Sequence, residues 1–145
     1  MCRALLPLVL LLPATASVAT CGDVIRLAAH DGATQQYALA LPDGRPGKAA
    51  VTLVLLAGGG GHLALDARGC PTALTGNSLV RMRSRFLAAG FATAYVDAPS
   101  DHAGDDGLGG FRATQAHAND LGLVIRDLRE RTGGTIWVVG TSRGS

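Results

Sequence analysis

Two apolar runs constrain this chain more than any other feature. Residues 50–56 (AVTLVLL) and 135–139 (TIWVV) carry almost no polar side chains, and each runs straight into a glycine-rich turn. Such runs suit strands buried on both faces, where neither side of the pleat meets water. The segments between them have a different period. Leu79, Met82, Phe86 and Leu87 recur at i, i+3, i+7 and i+8, and His117, Leu121, Val124, Ile125 and Leu128 at i, i+4, i+7, i+8 and i+11. Both spacings lay one apolar face along a helix. Asn77 or Ser78 can cap the first helix and Gly90 can end it, while Gly133-Gly134 closes the second. Residues 91–96 (FATAYV) form the strand between the helices, and 97–110 a long loop rich in Asp and Gly. Upstream, residues 24–28 and 36–41 read as an antiparallel hairpin around the His30-Asp31-Gly32 turn. Residues 42–47 (PDGRPG) are a loop.

A hairpin followed by β, α, β, α, β implies an α/β fold with crossover connections. The expected architecture is a mixed, mostly parallel sheet with helices on both faces. In such sheets, chemistry collects at the carboxyl ends of the strands. With 145 residues, 48% hydrophobic and 17% charged, the chain is one domain with a buried core. The net charge of +2 is spread without a basic cluster, so no nucleic-acid partner is implied. Arg81, Arg83 and Arg85 are expected on a solvated helix face.

The first residues have the form of an export signal. Arg3 is the positive n-region, 4–12 an unbroken apolar run ended by Pro13, and Ser17-Val18-Ala19 a small-residue cleavage site. A membrane span needs ~20 apolar residues, and this run is shorter and carries prolines at 7 and 13. The expected division is therefore a signal peptide over 1–19 and a domain portion over 20–145, in an exported protein, periplasmic or secreted, with no integral membrane span. Val18-Ala19-Thr20-Cys21 also looks somewhat like a lipobox, although Thr20 stands where such motifs usually have Gly or Ala. Cys21 and Cys70 remain after cleavage. They can pair in an oxidising compartment or stand as two unrelated thiols.

The chemistry-bearing motif is Gly140-Thr141-Ser142-Arg143-Gly144, directly after the second apolar run. A Gly-x-Ser-x-Gly turn between a buried strand and a helix is sharp, so its flanking residues must be small. It lifts the serine hydroxyl above the sheet edge as a nucleophile. The first apolar run ends in Ala57, four glycines at 58–61 and His62. Glycine backbone can approach a substrate closely, and its N–H groups can hold a developing oxyanion. Neither the dinucleotide pattern nor the Walker pattern fits this run, so a nucleotide-binding fold fails on motif grounds. Asp101, Asp105 and Asp106 lie close together but miss the EF-hand spacing. No metal site or cofactor is implied.

The segments AVTLVLLAGGGGH and WVVGTSRGS, in this order of elements, resemble the α/β-hydrolase superfamily. FATAYVDAPSDH is similar to the corresponding strand and loop of dienelactone-hydrolase-like and bacterial esterase-like members. The resemblance implies Ser142 as nucleophile, the Arg143 N–H as one oxyanion donor and Gly59, with Gly60 beside it, as the other. It further implies a small-molecule acyl substrate, an ester or related bond, cleaved without a cofactor. His62 and Asp97 are candidate pocket-lining residues, although for Asp97 a turn-forming role before Ala98-Pro99 is the simpler account. The family's acid and histidine follow the serine along the chain, whereas this sequence ends three residues after it. The expectation is thus the first part of such a domain, cut after the elbow, inactive alone and poorly soluble through an exposed apolar strand edge. A peptidase of the same fold and a non-catalytic binding protein are the alternatives.

Overall fold

The computed structural model describes residues 20–42 and 48–145. The expected export signal over 1–19 and most of the loop over 42–47 lie outside the described residues. The elements are β1 (Asp23–Ala28), β2 (Thr34–Ala40), β3 (Val51–Leu56), α1 (Ser78–Ala88), β4 (Ala92–Val96), α2 (Gln115–Thr132) and β5 (Thr135–Gly140). They form one five-stranded sheet in the order β1-β2-β4-β3-β5. β2 is antiparallel to both β1 and β4, while β3 is parallel to β4 and β5. Strand β2 alone therefore opposes the common direction, which is the mixed, mostly parallel sheet expected from the sequence.

Alternation along the strands divides the core in two. Tyr37, Leu39, Val54, Ala92, Ala94 and Val96 point to the face covered by Val124 and Leu128 of α2. Ala38, Leu53, Leu55 and Tyr95 point to the other face, where Leu79 of α1 packs. Helices on opposite faces follow from the sheet order. The connection from β3 to β4 moves one way across the sheet and that from β4 to β5 moves back, so right-handed crossovers fall on different sides.

Two details of α1 differ from the periodic reading. Met82 is exposed, and Val80 and Phe86 are the residues that join Leu79 against the core. Arg83 is half-buried rather than solvated, with its guanidinium 5.5 Å above the Tyr95 ring. The ring's negative face attracts the cation there.

Strand β5 pairs only with β3 among the described residues, so its other edge is free. Trp137 and Val138 on it are 57% and 53% exposed. Among the described residues, no helix is long and apolar enough to cross a membrane. A disulfide joins Cys21, just before β1, to Cys70, with a Cα–Cα distance of 4.8 Å.

Candidate active site

The carboxyl end of β5 runs through Thr141 into a single tight turn over Ser142–Gly144. Ser142 has φ +54°, a left-handed conformation that costs a side-chain-bearing residue of order 1–3 kcal/mol. The turn is held by Gly144 N–H donating to Thr141 O at 2.8 Å and Ser145 N–H to Ser142 O at 3.1 Å. The flanking glycines have no room for a side chain. A Cβ on Gly140 would lie 2.7 Å from Ser145 Cα, and one on Gly144 3.0 Å from Ala57 O. Ser142 itself is exposed.

The glycine run lies beside this turn because β3 and β5 are neighbours. A Cβ on Gly58 would come within 2.7 Å of Thr141 O and 3.0 Å of Ser142 Cβ, so Gly58 is the glycine that lets the two loops touch. Gly59 takes φ +65°. The backbone N–H groups of Gly59, Gly60 and Arg143 donate to no other backbone group among the described residues. Gly60 O accepts from Leu108 N–H at 2.8 Å, which seats the 97–110 loop against the glycine run.

Two charged side chains fix these loops. Asp97, at the end of β4, is 2% exposed. Its Oδ1 accepts from Leu63 N–H at 2.6 Å and Ala98 N–H at 2.9 Å, and its Oδ2 from Leu65 N–H and Gln36 Nε2, each at 3.0 Å. Asp97 lines a cavity at the strand ends, but its carboxylate is occupied in shaping the chain after the glycines. Arg112 donates from Nη2 to Ala57 O at 3.0 Å and from Nη1 to Arg143 O. One guanidinium thus bridges the start of the glycine run and the serine turn. The cavity has a volume of about 210 Å³ and is lined by Leu56, Gly61, Arg112, His117 and Arg143 among others.

Among the described residues, no histidine hydrogen-bonds to Ser142, and His117, whose Nδ1 is buried without a partner, lines the same cavity as Arg143. His62 Nδ1 accepts from Gly104 N–H at 2.9 Å. His117 is 8% exposed and packs edge-on to Phe111. Burial, aided by the nearby Arg112 charge, pushes its pKa below the usual value. His102 stacks on Phe111 with ring centroids 4.0 Å apart. His30 Nδ1 lies 2.6 Å from Asp120 Oδ2 and its Nε2 3.0 Å from Asp101 Oδ2. The Asp120 hydrogen bond outweighs desolvation and raises the His30 pKa.

Sequence reasoning missed Arg112, Asp120 and the His30 cluster. Asp120 carried a signal, since it falls within the apolar stripe of α2, three residues after His117 and four before Val124. A charged residue on a core-facing stripe demands a partner, and His30 supplies it.

No family model matches the chain, and no curated protein matches it. Solved structures do. An α/β serine hydrolase without a lid from Xanthomonas campestris aligns with a TM-score of 0.53 at 20% identity, over 90% of this chain and 55% of that one. An α/β serine hydrolase homologue from Coxiella burnetii aligns with a TM-score of 0.51 at 16% identity, over 89% and 55%. The chain spans about 55% of the length of these structures. At these identities the likeness is one of fold, and the fold of the described residues is α/β-hydrolase-like.

Proposed function

We propose that Ser142 is the nucleophile of a serine hydrolase acting on carboxylic esters or related acyl bonds of small molecules. The observation that carries this reading is the backbone of Ser142 itself. A left-handed serine between two glycines that cannot bear side chains, at the end of a parallel strand, is an arrangement with a cost and no evident packing benefit. In this reading the Ser142 Oγ attacks the acyl carbon. The N–H groups of Arg143 and of Gly59 or Gly60 donate to the resulting oxyanion, their freedom from other backbone partners leaving them available.

A serine hydroxyl is a weak nucleophile without an adjacent base. The hydrogen bonds and packing of the four histidines support the further proposal that residues 1–145 alone do not turn over substrate. Export to the periplasm or medium is proposed on the form of residues 1–19, and a disulfide is in keeping with it.

A fluorophosphonate probe tests both parts. The 145-residue chain is expected to stay unlabelled, and the product of the whole reading frame, wherever it ends, to be labelled in the wild type and not in Ser142→Ala. Strong Ser142-dependent labelling of the 145-residue chain would overturn the inactivity. A whole product that labels equally well as Ser142→Ala would overturn the nucleophile.

A further inference from the structure

His30, Asp101 and His102 meet at one corner of the molecule. His30 comes from the β1–β2 turn, and the other two from a short turn after β4. Their potential ligand atoms all lie within 4.8 Å of one another. His30 Nε2 is 3.0 Å and His102 Nε2 3.9 Å from the same atom, Asp101 Oδ2. Ligands about 2.0–2.1 Å from a tetrahedral zinc stand roughly 3.3 Å apart, a value these two distances bracket. Asp101 is 46% exposed at its side chain and free to close the remainder.

What separates this cluster from a chance surface grouping lies on the far side of each ring. His30 Nδ1 faces Asp120 Oδ2 at 2.6 Å, on a carboxylate only 1% exposed. His102 Nδ1 faces Gly107 O at 3.3 Å. Both partners are acceptors, so both Nδ1 atoms carry the proton and donate. A neutral imidazole protonated there has its lone pair at Nε2. At His30, Nε2 also faces an acceptor, Asp101 Oδ2 at 3.0 Å, so an ion bound here displaces the Nε2 proton and takes the Nε2 lone pairs of both rings together with the carboxylate oxygen. Phe111 packs on both rings, with centroids 4.0 Å from His102 and 4.7 Å from His30, and limits their rotation. Anchored Nδ1 atoms with converging Nε2 atoms are the outer-shell pattern of histidine metal sites.

We propose that His30, Asp101 and His102 bind one divalent transition-metal ion of the zinc class, water completing its shell, with Asp120 and the Gly107 carbonyl orienting the two rings. Two imidazoles and a carboxylate favour such an ion over calcium or magnesium, which prefer all-oxygen shells. The ion would tie the β1–β2 turn to the 97–110 loop, and through Leu108 to Gly60 of the glycine run. The site is independent of Ser142 and does not rest on the proposed hydrolase activity.

The test is titration of the chelator-stripped 145-residue chain with Co(II), then Zn(II). The expected result is visible d–d absorption saturating at one equivalent of Co(II), displaced by one equivalent of Zn(II). Asp101→Asn and His102→Phe, the latter keeping a ring on Phe111, lose the bands while retaining the wild-type circular dichroism. Asp120→Asn keeps the stoichiometry and weakens binding roughly tenfold to a hundredfold. Absence of saturable binding, or binding that survives both ligand substitutions, would overturn the proposal. In the first case His30 is a protonated bridge between two carboxylates.

Discussion

Ser142 is held where it is by the absence of atoms around it. The backbone of Gly144 runs against Leu56 and Ala57, and that of Gly140 against Gly144 and Ser145. Gly144→Ala is expected to force the turn away from β3 and to destabilise the chain by about 1–3 kcal/mol, as overpacking does. Chemical denaturation measures this, and loss of Ser142 labelling in the whole reading-frame product should accompany it. A second residue-scale prediction concerns Asp127, which accepts hydrogen bonds from the buried Tyr37 hydroxyl and, at 2.7 Å, from Arg131 Nε. Burial acts to raise the Asp127 pKa, but the bonds from Arg131 and Tyr37 together outweigh it and leave the carboxyl below its ordinary value. The charged form is thus favoured by folding, so its stabilisation is present above the unfolded pKa near 3.8 and fades as pH falls through the lower folded value. The stability difference between wild type and Asp127→Asn should shrink as pH is lowered from 5 into this range. The turn around Ser142 was legible in the sequence because its two glycines and the apolar strand before it are contiguous in the chain. The His30 cluster was not, since positions 30, 101, 102 and 120 are brought together only by the sheet.

Helix ends follow local rules, and these were the easiest parts to read. Asn77 caps α1 with its Oδ1 accepting from Leu79 N–H at 2.9 Å, and its Nδ2 reaches Thr141 Oγ1 at 3.3 Å. Asn77→Ala should cost about 1 kcal/mol from the cap alone, read as a lowered denaturation midpoint at unchanged slope. Gly133 ends α2 at φ +67°, as the Gly133-Gly134 pair suggested. The faces of the helices were less legible. Arg83 is drawn to Tyr95 of β4, and Met82 turns to solvent in a helix whose apolar stripe was counted by spacing alone. Periodicity locates a stripe but does not say which strand residues stand beneath it.

At the scale of the whole chain, the alternation of strands and helices made the layered α/β architecture legible. The order β1-β2-β4-β3-β5 was not, because β4 inserts between β2 and β3 through pairings that no short window contains. The disulfide is also a property of the whole chain. It closes a loop of 49 residues, and the chain-entropy account assigns it about 4 kcal/mol. Equilibrium unfolding of the Cys21→Ser, Cys70→Ser chain against the oxidised wild type measures this, and a difference well under 1 kcal/mol would contradict it.

The sheet order sets a timetable for assembly. β1 and β2 register across a turn of a few residues, with Ala28 opposite Thr34. Strand β5 must find β3 across α1, β4 and α2, with Val51 opposite Thr135. Pairings so distant in sequence bear the largest loop-closure entropy and form late. The turn that carries Ser142 hangs from this strand, so the serine is expected to take its left-handed conformation only once the rest of the sheet has formed.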